Sequence, residues 1–313
     1  MEDALRRYAA NCFLISMALF AVGCRHDGLA PYSEADEVRI RADESKNLAD
    51  PRGDLAFMRN IEITGNTVIG DSESKGIALD HWQGKPFSID RKGAQVVAVS
   101  SGSETLQDGK PISVGQTLPD SGATWITNGS LSLHLLKNGE RVRFQAFDGK
   151  SQPLQAIHAP NFYAPTAAYR ISADWVPAVR EMQYHRTNGG SDIPAHMDGY
   201  VQFSLDGKPF RLYGETLPAD GKDPAMLFIV FRDQTSTTET YPASRFLYVR
   251  DGSLEFPKGY KFDSAKPTKL MLDFNQAVNP VCAYNPNTHC PIAPPENRLP
   301  VAIPAGEKRY SAE

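Results

Sequence analysis

The sequence predicts an all-β protein, with mostly antiparallel, sandwich- or barrel-like sheets and one short N-terminal helix. Three observations point there. Apolar residues recur at every second position over most of the chain, as in RVRFQAF, where Val142, Phe144 and Ala146 alternate with polar neighbours. Tight-turn pairs (Asn128-Gly129, Asn138-Gly139 and Asp206-Gly207) separate runs of this kind. The 24 glycines and 23 prolines spread along 313 residues favour many short elements over long helices.

The first 24 residues read as an address. Arg6 and Arg7 precede an apolar run from Tyr8 to Val22, then Gly23-Cys24, the layout of a secretory signal. The run is shorter than the roughly 20 residues that a spanning helix needs. Ala21-Val22-Gly23-Cys24 resembles a bacterial lipobox, which implies lipidation of Cys24 and attachment to a membrane. Each buried methylene of such an anchor contributes about 0.8 kcal/mol. The alternative is an ordinary signal peptide that happens to hold a cysteine. Arg25 stands where an Asp often retains such proteins at the inner membrane, which points to a periplasm-facing protein of the outer membrane. Residues 25–34 then form a short polar tether.

Ser33-Glu34-Ala35-Asp36 reads as a capping box for a helix to about Leu48, with Val38, Ile40 and Leu48 as its apolar contacts. Strands are expected on either side of Gly65-Asn66, read as a hairpin turn, and over 94–100, 122–127, 131–136 and 141–147. With the helix they form a first unit, residues 35–150. A proline-containing connector, 151–166, leads to a second β unit, 167–313. Its strands are expected at 169–175, 181–186, 199–205, 209–213, 226–231, 246–249 and 269–274. Asp206-Gly207 marks the clearest hairpin, and the continuous apolar run from Met226 to Phe231 a core strand.

With 33 basic against 37 acidic residues and no clustered basic stripe, the chain lacks the electrostatic footprint of a nucleic-acid binder. No G-x-G-x-x-G loop, G-x-S-x-G elbow or H-E-x-x-H helix occurs. Of the histidines, His134 reads as structural, and His185 and His196 as solvated side chains. Cys12 falls in the signal and Cys24 at the anchor, leaving Cys282 and Cys290. In an oxidising envelope this pair reads first as a disulfide closing a short loop, worth about 2–3 kcal/mol. The rival is a metal site with His289, although C-x7-C with one adjacent histidine matches zinc ligation weakly.

Two polar stretches carry the candidate chemistry. Asp233 and Arg245 flank the segment after the core strand and suit a partly buried ion pair; a ligand-facing Arg245 would instead take a carboxylate or phosphate in its planar fork. Toward the C-terminus, Asp273, Asn275, Asn279, Glu296 and Asn297 crowd around a proline-rich loop. Such a loop leans on side-chain amides to satisfy its carbonyls, since proline donates nothing. That makes it a rigid structural cap. The sharper reading gives Asp273 and Glu296 a cation or sugar hydroxyl to hold, or general acid and base roles, though their separation is not fixed by the sequence.

DFNQAVNPVCAY, HCPIAPPENRLPVAI and AGEK resemble the C-terminal signature of bacterial domain-of-unknown-function family 1684, and the resemblance runs upstream through YPASRFLY, FIVFRDQT, GERVRFQAFD and the helix near Val38–Leu48. DLAFMRN, after that helix, lacks the tryptophan-containing pattern common in such proteins. The resemblance implies that Arg245, Asp273, Asn275, Asn279, Cys282, Cys290, Glu296, Asn297 and Glu307 fall on characteristic positions, and it supplies no activity or cofactor. The expectation is thus a cell-envelope lipoprotein acting as a ligand-binding or structural β module, with a glycan or small molecule as ligand. The alternative is a metal-assisted hydrolase using Asp273 and Glu296, with Cys282, His289 and Cys290 nearby.

Overall fold

The computed structural model describes residues 31–93, 95–119, 124–138, 140–217, 225–250, 256 and 261–310. The signal, Cys12, Cys24 and most of the tether lie outside the described residues.

Helix α1 spans Glu34–Leu48, and the Ser33 hydroxyl caps it by accepting from the Asp36 amide at 3.3 Å. Its contacts differ from those expected. Val38 is 58% exposed, whereas Glu37 is buried. The helix packs on the body through charged side chains. Arg41 donates to the Tyr163 carbonyl at 2.9 Å and stacks 4.6 Å from the Phe162 ring. With no apolar stripe available, an amphipathic side chain supplies the contact area instead.

The chain then forms three sheets, antiparallel but for one short parallel pair. In spatial order, the first holds Phe57–Glu62, Arg141–Asp148, Leu131–Asn138, Trp125–Asn128, Thr105–Gln107 and Lys110–Pro111. The second holds Ile77–Ala78, Thr67–Gly70, Phe87–Lys92, Gln95–Ser100 and Thr117–Leu118. Both contribute to one core, in which Ile61, Phe144 and Leu133 of the first meet Ile69, Phe87 and Ile89 of the second. The alternation of Val142, Phe144 and Ala146 is borne out, all three being buried.

Gly65-Asn66 is not a hairpin turn. Phe57–Glu62 pairs with Arg141–Asp148, whereas Thr67–Gly70 pairs with Phe87–Lys92 in the other sheet. The turn carries the chain between sheets, because Ile61 and Ile69 reach the shared core from opposite sides. The strand Phe87–Lys92 has little signal in the sequence, since its two buried residues, Phe87 and Ile89, are too short a period to stand out.

The third sheet runs Arg245–Arg250, Met226–Phe231, Lys208–Leu217, Ile193–Leu205, Arg170–Tyr184, Thr268–Asp273. The strands expected at 169–175 and 181–186 are one 15-residue strand, bulged between Pro177 and Arg180. Proline cannot donate to the ladder, and the bulge absorbs it. Asp206 and Gly207 both take positive φ, as the expected hairpin requires. Leu227, Ile229 and Phe231 face one apolar cluster while Phe228 and Val230 face another, which explains the unbroken apolar run. The tail, 274–310, winds over this sheet in three short 3-10 turns.

Candidate functional site

The polar residues singled out from the sequence are mostly buried ties between segments. Arg245 has no exposed surface; it donates to Asp233 at 2.6 Å and to the carbonyls of Ile303 and Ala305. The expected Asp233–Arg245 ion pair is therefore present, and its second task is to pin the tail. Asp233 also caps the 3-10 turn Gln234–Thr237 through the Thr235 amide at 2.6 Å.

Asn297 inserts its carboxamide between two strands. It accepts from the Tyr213 amide at 2.8 Å and donates to the carbonyls of Tyr213 and Val230 at 2.8 and 2.9 Å. A carboxamide reproduces the donor and acceptor of a peptide group, so it stands in where the ladder would be broken. Asn275 does the same for Thr166, accepting at 3.0 Å and donating at 2.8 Å. Asn279 donates its backbone amide to Glu307 at 2.7 Å and its side chain to the Lys308 carbonyl at 2.8 Å. Burial pushes the Glu307 carboxyl up to about 8.

Asp273 is buried beside Arg170 at 3.5 Å, and Glu37 of α1 approaches it from the other side. Burial and the Asp273 charge push Glu37 up to about 7. Glu296, by contrast, is a partly exposed residue paired with Arg180 at 2.7 Å. Arg245, Asp273 and Glu296 thus engage three different partner sets, and none of the three lines the cavities formed by the described residues.

The expected Cys282–Cys290 disulfide is not formed. Both cysteines are free and buried, with the Cys282 amide donating to the Cys290 sulfur at 3.2 Å. The hydrogen bond between the two thiols holds Cys282 below the ordinary thiol range and pushes Cys290 above it. His289 turns its Nδ1 to the Thr187 carbonyl at 3.1 Å. Among the described residues no group of three or more His, Cys, Asp or Glu side chains is arranged to hold a metal ion. The donor set proposed for a metal-assisted hydrolase is therefore not assembled.

A further buried asparagine, Asn285, stands beside a cleft. Asn285 has no exposed surface; its side chain donates to the carbonyls of Asp54 and Phe57, both at 2.9 Å, and accepts from the Asn287 amide at 3.0 Å. This sets Pro286 and Asn287 across the cleft from Met58 and Arg59 of the edge strand. The resulting cavity of about 690 Å³ is completed by the turn at Asp80-His81 and the segment from Lys150 to Gln155. A recess of about 470 Å³ adjoins it through Met58, Arg59, Pro286 and Asn287, and reaches His289.

On its floor His81 meets Asp148, Nδ1 to Oδ2 at 2.7 Å. The His81 side chain is 50% exposed and that of Asp148 only 2%. Asp148 also accepts from the Ser130 hydroxyl at 2.7 Å and the Lys150 amide at 2.8 Å. Burial alone would raise this carboxyl; the Lys150 amide, Ser130 and His81 outweigh it and hold it below the usual carboxylate range. His81 itself has φ +66°, a left-handed conformation that costs a non-glycine residue about 1 kcal/mol or more. Its turn is held rigidly: Leu79 and Trp82 are in the core, and Gln83 exchanges two hydrogen bonds with Asn128.

Sequence reasoning missed His81, Asp148, Arg59 and Lys150. His81 and Asp148 lie 67 residues apart and share no motif; the packing of the first two sheets on one core brings them together. Asp148-Gly149, a turn pair closing the RVRFQAF strand, was the one local signal.

Fold and site define a mostly antiparallel β protein with a polar cleft between its first sheets and the C-terminal loop. Residues 155–308 match the family model described as protein of unknown function (DUF1684). The match agrees with the resemblance read from the C-terminal signature; α1, the cleft dyad and GERVRFQAFD lie outside the matched span. No curated protein matches the chain. Among solved structures, an uncharacterized protein of Haloarcula marismortui determined by solution NMR is 24% identical, covering 49% of this chain and 78% of its own, with a TM-score of 0.39.

Proposed function

We propose that this protein is a cell-envelope lipoprotein, anchored through Cys24, whose cleft binds an acidic, hydroxyl-rich ligand such as a uronic-acid sugar. The observation that carries the ligand class is the charge of the lining. Arg59 and Lys150 line the cleft beside His81, and neither cation has an ionic partner among the described residues. Among the described lining residues Asp80 is the one exposed carboxylate; Asp148 is buried on its hydrogen bonds to His81, Ser130 and the Lys150 amide. Two exposed cations against one exposed carboxylate, on a chain of net charge −4, favour anions at the cleft surface. Gln152, Gln155 and Asn287 add neutral amides suited to hydroxyls. The C-terminal loop contributes a wall of the site, through Pro286 and Asn287, and Asn285 holds that wall to the edge strand.

The anchor rests on Arg6, Arg7, the apolar run and the lipobox-like Ala21–Cys24. Two experiments test the reading. A thermal-shift screen of glucose, glucuronate and glucose 6-phosphate should show stabilisation by the two anions and none by glucose; no shift with any of them, or the same shift with all three, contradicts the ligand class. Expression of the full chain with Cys24→Ser should move it from the membrane fraction to the soluble one. Unchanged membrane association contradicts lipidation at Cys24.

A further inference from the structure

We infer that the cleft is catalytic, with His81 as the general base that activates water to hydrolyse a carboxylic ester bearing a negative charge. This rests on the binding reading above and adds a reaction to it.

Three features separate His81 from the other histidine–carboxylate pairs. In the His185–Asp192 pair both side chains are exposed, 73% and 47%, and in His196–Glu181 they are 55% and 70% exposed. Solvated pairs of that kind fix neither ring nor proton. The partner of His81 is instead buried and immobilised by Ser130 and the Lys150 amide, while its own amide donates to the Ala56 carbonyl at 2.8 Å. A carboxylate held in this way accepts from Nδ1–H, which assigns the other tautomeric position, Nε2, the lone pair. Nε2 has no protein partner among the described residues, and its ring lines the cleft. Last, the ring is delivered by a left-handed residue in a turn where glycine is the usual occupant. Strain kept in a pinned turn that aims a side chain into a cavity is a common mark of function.

The reaction balances without an external oxidant or a metal. Water gives a proton to Nε2 as its oxygen bonds to the ester carbonyl carbon. The tetrahedral oxyanion collapses, the bond to the alkoxy oxygen breaks, and the imidazolium returns the proton to the departing alkoxide. The products are a carboxylic acid and an alcohol. Asp148 is a positioning residue: it stays ionised, holds the tautomer and stabilises the imidazolium. Arg59 and Lys150 hold the substrate's own charge.

The test uses the full chain and 4-nitrophenyl hemisuccinate, with glucuronate binding measured in parallel. His81→Asn keeps a residue tolerant of positive φ, so it should fold. It should lose about 10²–10³-fold in kcat with KM within about twofold. His81→Gly should be similarly impaired and regain activity with added imidazole, a rescue that loss of structure would not permit. Asp148→Asn should lower kcat while keeping KM. Wild-type and His81→Asn proteins hydrolysing at equal rates overturn the inference. If glucuronate binding persists in that event, the binding reading stands alone; if binding is also absent, both fall.

Discussion

The carboxamide of Asn285 reaches the carbonyls of Asp54 and Phe57 at 2.9 Å each, across more than two hundred residues of chain. It joins the C-terminal loop to the edge strand of the first sheet, and so builds the wall between Pro286 and Arg59. Replacing it with Ala would leave buried carbonyls unpaired. Asn285→Ala should lower stability by about 1–3 kcal/mol in urea denaturation and weaken glucuronate binding. Unchanged stability would mean that the loop is held by other contacts.

Arg245 and Asp233 form a pair with no exposed side-chain surface. Removing one partner leaves the other charge buried. Arg245→Met should therefore cost about 3–5 kcal/mol, and the double variant Arg245→Met/Asp233→Leu distinctly less. Denaturant midpoints of wild type and the two variants check this; a double variant as unstable as Arg245→Met, or more so, contradicts it.

Glu37 couples the docking of α1 to pH. Its carboxyl is raised to about 7 from an ordinary 4.5 by burial and by Asp273, with Gln276 and Arg41 acting in the opposite sense. A raised acid favours the protonated folded form, so its stabilisation is complete below pH 4.5 and is lost as pH rises through 7. Arg170 pairs with Asp273, and Tyr32 faces the same carboxyls. Hydrogen exchange in Glu34–Leu48 should quicken between pH 5 and 8 beyond its intrinsic rise, and Glu37→Gln should remove that excess.

At His81 the backbone is strained, so glycine relieves the folded state while loosening the unfolded one. His81→Gly should change stability by no more than about 1 kcal/mol, even though activity falls. A loss of several kcal/mol, read from thermal unfolding, would show that the bond to Asp148 is chiefly structural.

Much of the fold was legible in period and turn chemistry. RVRFQAF and the Asp206-Gly207 hairpin are local, and each carries its whole signal within a few residues. Gly65-Asn66 misled because the same dipeptide serves a hairpin or a crossing between sheets, and only the shared core decides which. The sequence reads as two strands, 169–175 and 181–186, because the bulge that joins them depends on the partner strand Ile193–Leu205. The site was less legible. The density of asparagines near the C-terminus was visible, but amides that replace peptide groups, as Asn297 does, look in sequence like amides awaiting a ligand. In α1 the sequence points to Val38, Ile40 and Leu48 as contacts, and a buried carboxylate at Glu37 has no local signal. His81 and Asp148 meet only through tertiary pairing.

The most direct test of the account is the calorimetric titration of glucuronate into the protein at low salt, repeated on Arg59→Ala/Lys150→Ala. If the cleft holds the ligand by its charge, the double variant binds at least about tenfold more weakly, a loss of 1.4 kcal/mol or more. Equal affinity in the two proteins would place binding elsewhere and contradict the account.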